Sequence, residues 1–256
     1  MKPGFVLAVV LVCSTVVVAC ADGGNEEPPS QAEQTPTATS NADLEEARAV
    51  AEQALLRLED FPTGWVERPA EEEDDEDFEL DLPPECQSFI ERENLPGTLV
   101  EVDSAEFHGP DDEEVESGVT IFVDIAAARQ AFAEVGDFIE RCRQPLREAV
   151  TEYFEEKIRE EGEDLPFEDI ELADFNMDRL SFPAYGDESM ALRMSFTIDA
   201  GFLSFDFYFD IFGMRVDRII GSMSFAGVLE TPDAREEERL AGIIEERLET
   251  AAAQLQ

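Results

Sequence analysis

The stretch "SMALRMSFTIDAGFLSFDFYFDIFG", residues 189–213, decides the fold of this chain. Large apolar side chains occupy every second position in two runs, and small or polar side chains stand between them. A period of two places each set on its own face of a β-strand. The pattern predicts two antiparallel strands with one buried face, and Gly201 and Gly213 are the expected turn positions. The apolar set is Met190, Leu192, Met194, Phe196, Ile198, Leu203, Phe205, Phe207, Phe209 and Ile211.

The segments before and after these two strands show either the two-residue alternation of a strand or the spacing of a helix. Weaker alternation predicts further strands at 99–107, 118–124, 173–180 and 214–225. Helical spacing predicts helices at 43–58, 126–158 and 233–255, with a short helix around Cys86. The order α-ββ-α-ββββ-α is typical of an α+β fold, and we expect an antiparallel sheet of about six strands with helices packed on one face.

The N-terminus has the features of a bacterial lipoprotein signal. Lys2 precedes an apolar run at residues 5–19, which is shorter than the ~20 residues of a membrane span. The run ends at "VVAC", which resembles the lipobox, so we expect cleavage after Ala19 and lipidation of Cys20. The alternative is an ordinary signal peptide cleaved near a cysteine. The prediction is a protein attached to the cell membrane by lipid and facing the extracytoplasmic side.

The next segment favours a flexible tether. Residues 20–41 contain no aromatic or large aliphatic side chain and therefore bury too little apolar surface to fold. We expect residues 1–19 to be the signal peptide, residues 20–41 the lipidated cysteine and tether, and residues 42–256 a single extracytoplasmic domain.

Two cysteines remain in that domain, Cys86 and Cys142. Exported proteins meet oxidants, so we expect these two to form a disulfide, with free thiols or a metal site as the alternative.

The charge excludes several partners. The chain has 62 acidic and 18 basic residues, a net charge of -44. Nucleic-acid binding depends on basic side chains, so a nucleic-acid partner is not expected. Attraction to anionic lipid head groups is equally disfavoured, and the lipid on Cys20 would provide the membrane link.

Two motifs resemble a group of secreted lipoproteins. The first is "LEDFPTGW", with Asp60, Pro62, Gly64 and Trp65; the second is "FPAYGDESMALRMSF", with Gly186, Asp187 and Glu188. The chain is similar to LpqN-like lipoproteins and to PknH-type extracellular sensor domains. The resemblance implies export and an α+β fold, and the function of the group is mostly unknown. Sensor domains of that type usually have two disulfides, whereas this chain has cysteines for one.

The sequence contains no recognised catalytic constellation. The single histidine, His108, lies in a glycine and proline turn, and no nucleophile elbow, zinc-protease motif or phosphate-binding loop occurs. We expect no enzymatic activity, although a close carboxylate pair deep in a cleft would favour a hydrolase.

No cofactor is expected, and calcium is the one candidate ion. Two acidic loops offer hard oxygen ligands, but neither has the spacing of a known calcium loop, so solvated loops are the alternative. The candidate ligands are Asp74, Asp75, Asp77, Asp111 and Asp112.

Aromatic residues near the predicted strands are candidates for a pocket or a binding surface: Trp65, Phe202, Tyr208 and Phe212. Core packing is the simpler interpretation of the same residues. We expect a non-catalytic, sensor-like module that binds an unknown small molecule or envelope protein. The alternative is a structural component of a cell-envelope assembly.

Overall fold

The structure is a computed structural model that describes residues 41–68, 80–90, 95–110, 113–161, 170–200 and 203–256. These residues form four α-helices and eight strands. The helices are α1 (Asn41–Ala54), α2 (Pro84–Ile90), α3 (Ile125–Glu161) and α4 (Ala234–Gln254). The strands are β1 (Val66–Arg68), β2 (Thr98–Asp103), β3 (Glu106–His108), β4 (Glu114–Phe122), β5 (Ile170–Arg179), β6 (Glu188–Ala200), β7 (Leu203–Val216) and β8 (Ile219–Val228).

All eight strands belong to one antiparallel sheet. Its order is β1-β3-β4-β8-β7-β6-β5, and β2 pairs with the same edge of β4 as β3 does. The predicted α+β class is confirmed. The expected number of six strands was too low, because the segment predicted at 99–107 divides into β2 and β3 and because β1 is too short to show a period.

One predicted turn was wrong. Strand β7 continues through Gly213, and the chain turns at Asp217 and Arg218 instead. Asp217 adopts a φ of 56°, the left-handed conformation that tight hairpin turns require. Gly213 faces α3, and a Cβ there would make an ordinary van der Waals contact with Phe132, 3.5 Å away.

The sheet has a hydrophobic core on each face, whereas helices on only one face were expected. The first core lies between α1, α4 and the strands β2, β4, β7 and β8; it includes Val50, Ile121, Phe212, Met223 and Leu248. The second core lies between α2, α3 and the strands β5, β6 and β7; it includes Phe138, Val150, Met194, Phe207 and Phe209.

Two glycines show that these cores lie on opposite faces. A Cβ on Gly213 would contact Phe132 of α3, and a Cβ on Gly221 would contact Leu248 of α4. Gly221 pairs with Met214, the neighbour of Gly213, and neighbouring residues of a strand point to opposite faces. Helices therefore cover both faces: α3 extends from β4 and β8 to β5 on one face, whereas α1 and α4 cover β2, β4, β8 and part of β7 on the other.

A disulfide between Cys86 and Cys142 joins α2 to α3 inside the second core, as predicted from the two remaining cysteines. Beside it, the rings of Phe89 and Phe138 stack with their centroids 4.2 Å apart. Helix α3 continues through Pro145.

No helix of the described part of the chain is long and apolar enough to cross a membrane.

Candidate functional site

The most distinctive polar surface covers strands β5, β6 and β7 on the side opposite α3. The apolar residues of these strands point towards α3 into the second core, so their alternate residues point the other way. Among the described residues, α1 and α4 cover this side only over β2, β4, β8 and part of β7. We call this surface the open face; it consists of Glu171, Asp174, Asn176, Asp178, Arg193, Ser195, Thr197, Asp199, Ser204, Asp206 and Tyr208.

The open face ends at a buried ion pair between β6 and β7. Arg193 and Asp210 are direct cross-strand partners. The guanidinium donates to both oxygens of Asp210, with Nε 2.6 Å from Oδ1 and Nη2 bound to Oδ2. Asp210 has 0% exposure, whereas 24% of the Arg193 side chain reaches solvent. This bidentate pairing fixes the guanidinium and raises the pKa of Arg193, chiefly through the hydrogen bond with Asp210.

A second carboxyl group reaches the ion pair from α4. Glu237 lies in the first turns of that helix, is only 2% exposed and hydrogen-bonds to Asp210. Burial raises the pKa of Glu237 from 4.5 to about 9; the hydrogen bond and the charge of Asp210 add to burial, and Arg193 opposes it. Glu237 is therefore protonated at neutral pH and donates its proton to Asp210.

The three groups together carry no net charge at neutral pH, because Arg193 cancels Asp210 and Glu237 is neutral. Glu237 Oε1 is buried without a hydrogen-bond partner among the described residues. The cluster joins α4 to the sheet at the border of the open face. Its two carboxyl groups form a close pair, the arrangement that would favour a hydrolase in an accessible cleft. Here both are buried, so a substrate would not reach either one.

Other side chains of the open face are held by local contacts. The Arg193 guanidinium lies 5.8 Å from the centre of the Tyr208 ring, within the range of a cation–π interaction. The Thr197 hydroxyl donates to Asp206 at 2.7 Å. These two contacts hold the side chains of Arg193, Tyr208, Thr197 and Asp206 in a fixed arrangement on the open face.

The "GDE" motif of the sequence forms a separate network. Arg215 is almost fully buried and donates to Glu188 at 2.8 Å and to Asp187 at 2.9 Å. Gly186 has a φ of 57°, and a Cβ there would lie 2.5 Å from the carbonyl oxygen of Arg215. Glycine is therefore required for this close approach, and the motif holds the start of β6 against the end of β7. A shallow cleft beside it includes Ile125, Arg129, Glu249 and Ala252.

His108 lies between two carboxylates at the β3–β4 edge. Its Nε2 is 3.2 Å from Glu106 and its Nδ1 is 3.2 Å from Glu114. Among the described residues, no group of three or more acidic, histidine or cysteine side chains is arranged to hold a metal ion.

The three predicted pocket residues that the structure describes do not line one cleft. Trp65 stacks on Phe61, with ring centroids 4.6 Å apart, beside the β1–β3 edge. Phe212 is 1% exposed and packs against Phe182 and Phe225 in the first core, so the core interpretation holds for it. Tyr208 alone lies on the open face.

Several predicted residues lie outside the described part of the chain, and the interpretations attached to them stay predictions. They are Cys20, Phe202, Asp74, Asp75, Asp77, Asp111 and Asp112.

Sequence reasoning missed Arg193, Asp210 and Glu237. The available signal was the polar set of the two alternating strands, because Arg193 and Asp210 both occupy positions opposite the apolar set. Pairing between them depends on strand register, and the contact with Glu237 depends on how α4 packs.

No protein-family model matches the chain, and no curated protein matches it. Among solved structures, the chain is similar to the extracellular domain of PknH from Mycobacterium tuberculosis, with a TM-score of 0.42 and 10% sequence identity over 79% of this chain and 96% of that one. This is one of the two protein groups that the sequence motifs resemble; the likeness to LpqN-like lipoproteins stays a prediction.

Proposed function

We propose that this protein is a lipid-anchored, extracytoplasmic binding module that performs no chemistry and whose binding surface is the open face. The observation that carries the proposal is the open face itself. Its polar side chains stand on three adjacent strands of a sheet whose opposite side packs against α2 and α3 in the second core. Rigid strands position such groups more accurately than loops do.

The disulfide supports the extracytoplasmic location. It lies buried between α2 and α3, and disulfides of this structural kind persist in oxidising compartments. The lipobox-like sequence before Cys20 supports lipid anchoring. Two or more acyl chains would hold the protein at the membrane, because each buried methylene contributes roughly 0.8 kcal/mol.

The buried carboxyl pair supports a non-catalytic role. A general acid or base must come within hydrogen-bond distance of its substrate. Asp210 is held by Arg193, and Glu237 is enclosed between α4 and the sheet, so their proton stays within the cluster.

The alternative of a structural envelope component has less support in the described residues. Such a role would favour a continuous apolar surface. The large apolar side chains that are more than one-third exposed are scattered over five segments: Leu58, Val66, Val123, Ile125, Leu203 and Leu229.

Anchoring is tested by fractionating cells that produce the Cys20→Ala variant. We expect the parent protein in the membrane fraction and the variant in the soluble extracytoplasmic fraction. Retention of the variant in the membrane would contradict lipid anchoring at this residue.

Binding is tested with a photo-crosslinking amino acid placed in the full-length protein in its host. Asn176 on the open face is the test position, and Glu52 on the exposed side of α1 is the control. We expect a discrete adduct from position 176 and none from position 52. Adducts from position 52 alone would place the binding surface elsewhere.

A further inference from the structure

The open face is a sheet surface without a partner among the described residues. Glu171, Asp174, Asn176 and Asp178 on β5 are exposed, and so is Ser204 on β7. The rest of the open face is half-buried. The surface is therefore accessible across all three strands.

The charge of this surface is almost entirely negative. Glu171, Asp174, Asp178 and Asp199 form no salt bridge among the described residues, although Asp178 stands directly across from Arg193 on β6. The Asp206 carboxylate accepts the Thr197 hydroxyl. Arg193 is the one cation of the open face, and Asp210 already neutralises it. Five carboxylates thus remain without a salt bridge on adjacent strands, which lie about 4.8 Å apart.

The remaining groups of the open face suit guanidinium and ammonium ligands. Hydroxyl and amide oxygens of Asn176, Ser195 and Ser204 can accept hydrogen bonds between the carboxylates. Tyr208 supplies an aromatic ring that already has one guanidinium nearby, that of Arg193. Carboxylates beside an aromatic ring are the groups that bind arginine and lysine side chains.

A buried group at the border gives a further indication. Glu237 is fully enclosed, contacts Asp210 and retains an oxygen without a partner among the described residues. A further carboxyl group therefore lies inside the border of the open face, next to the Arg193–Asp210 pair, and the cluster adds no net positive charge that would repel a cation.

We propose that the open face docks a basic polypeptide segment, rich in arginine or lysine, that belongs to another protein of the cell envelope. The proposal rests on the proposed function, because it names the partner class of the same surface. Charge complementarity favours this partner: five carboxylates without a salt bridge attract a cationic segment and repel nucleic acids and anionic lipids.

The test uses the mature lipidated protein in mild detergent and a fluorescein-labelled deca-arginine peptide, with fluorescence anisotropy at physiological salt. The test variant combines Asp174→Asn, Asp178→Asn and Asp199→Asn. Its matched control combines Glu45→Gln, Glu46→Gln and Glu52→Gln on the exposed side of α1, so both proteins lose three negative charges. The control therefore measures attraction to the acidic chain as a whole.

We expect the test variant to weaken peptide binding by about tenfold, because each exposed ion pair contributes a modest amount and three are lost together. The control variant should weaken binding by less than about twofold. The melting temperatures of both variants should stay near that of the parent, since the three aspartates form no salt bridge among the described residues.

Equal weakening in both variants, or no binding of the peptide by the parent, would overturn the basic-segment proposal. The proposed function is tested separately, by the photo-crosslinker at position 176. If the photo-crosslinker at position 176 still captures a discrete adduct, the open face binds a ligand of another class. If position 176 gives no adduct but the peptide prefers the open face, the surface binds cations without a resident partner and the proposed function fails.

Discussion

The two faces of strands β6 and β7 consist of alternate residues of the same segments and have opposite roles. On one face Met194, Phe196, Phe207 and Phe209 pack against α3. On the other face polar side chains form the open face, which ends at the ion pair between Arg193 and Asp210. Each strand therefore supplies stability through one set of residues and a recognition surface through the other.

This separation means that substitutions on the two faces should have different consequences. Apolar residues of the second core contribute to the free energy of unfolding through burial and packing. Most residues of the open face contact solvent, so their loss should alter binding with little effect on folding. The ion pair between Arg193 and Asp210 shares a property with each face, because it is polar like the open face and buried like the second core.

The largest effect is expected from removing the disulfide of the apolar face. Replacing Cys86 and Cys142 with serine should lower the free energy of unfolding by about 4 kcal/mol, because the unfolded chain loses a constraint across 56 residues. Chemical denaturation of the parent and the double variant measures this difference. A loss below about 1 kcal/mol would show that packing alone holds α2 on α3.

The next effect is expected at Phe207, which stacks on Phe196 in the second core with ring centroids 4.7 Å apart. Phe207→Ala should lower the free energy of unfolding by about 3 kcal/mol through lost burial and the cavity that remains. The control is Ser204→Ala on the open face, for which we expect a change within about 0.5 kcal/mol. Similar losses in both variants, measured by urea denaturation, would break the distinction between the faces.

A smaller effect is expected at the border. Asp210→Asn keeps the shape of the side chain but removes the charge that Arg193 and Glu237 bind. We expect a loss of about 2 kcal/mol, since hydrogen bonds to charged groups contribute more than neutral ones. Asp206→Asn is the control; it alters one hydrogen bond from Thr197 at a half-buried site and should cost less than about 1 kcal/mol. Thermal unfolding of both variants measures the two losses of stability. Equal losses would contradict the expectation that the ion pair contributes more than the hydrogen bond from Thr197.

The smallest effect is expected in the pH dependence of stability. Between pH 4.5 and about 9, folded Glu237 keeps a proton that the unfolded chain has released. Stability from this group is therefore complete below pH 4.5 and is lost as the pH rises through about 9. Between pH 6 and pH 7 the loss from this group should be about 1.4 kcal/mol, because the folded chain holds one proton more than the unfolded chain throughout that interval.

Glu237→Gln should reduce that slope, because the amide does not titrate. Burial also raises the pKa of Glu101 to about 7, so the variant should retain a weaker decline that ends near neutral pH. Denaturation midpoints at several pH values compare the two proteins. Parallel curves for parent and variant would show that Glu237 is ionised in the folded state.

The sequence by itself determined the α+β class, the two main strands and the positions of the long helices. These features depend on local periods of two and of about 3.6 residues, which the chain displays directly. The cysteine pair was also predictable, since Cys86 and Cys142 were the two left after the signal segment.

Only the tertiary structure decided which surface covers each face of the sheet and which polar groups meet. A period of two shows that side chains alternate, but it contains no information about the helix that packs on either side. Phe212 belongs to the core beneath α4, whereas Tyr208, on the same face of β7, lies on the open face. The contact of Asp210 with both Arg193 and Glu237 requires the register of two strands and the packing of a helix from elsewhere in the chain. Such contacts are set by long-range geometry rather than by local pattern.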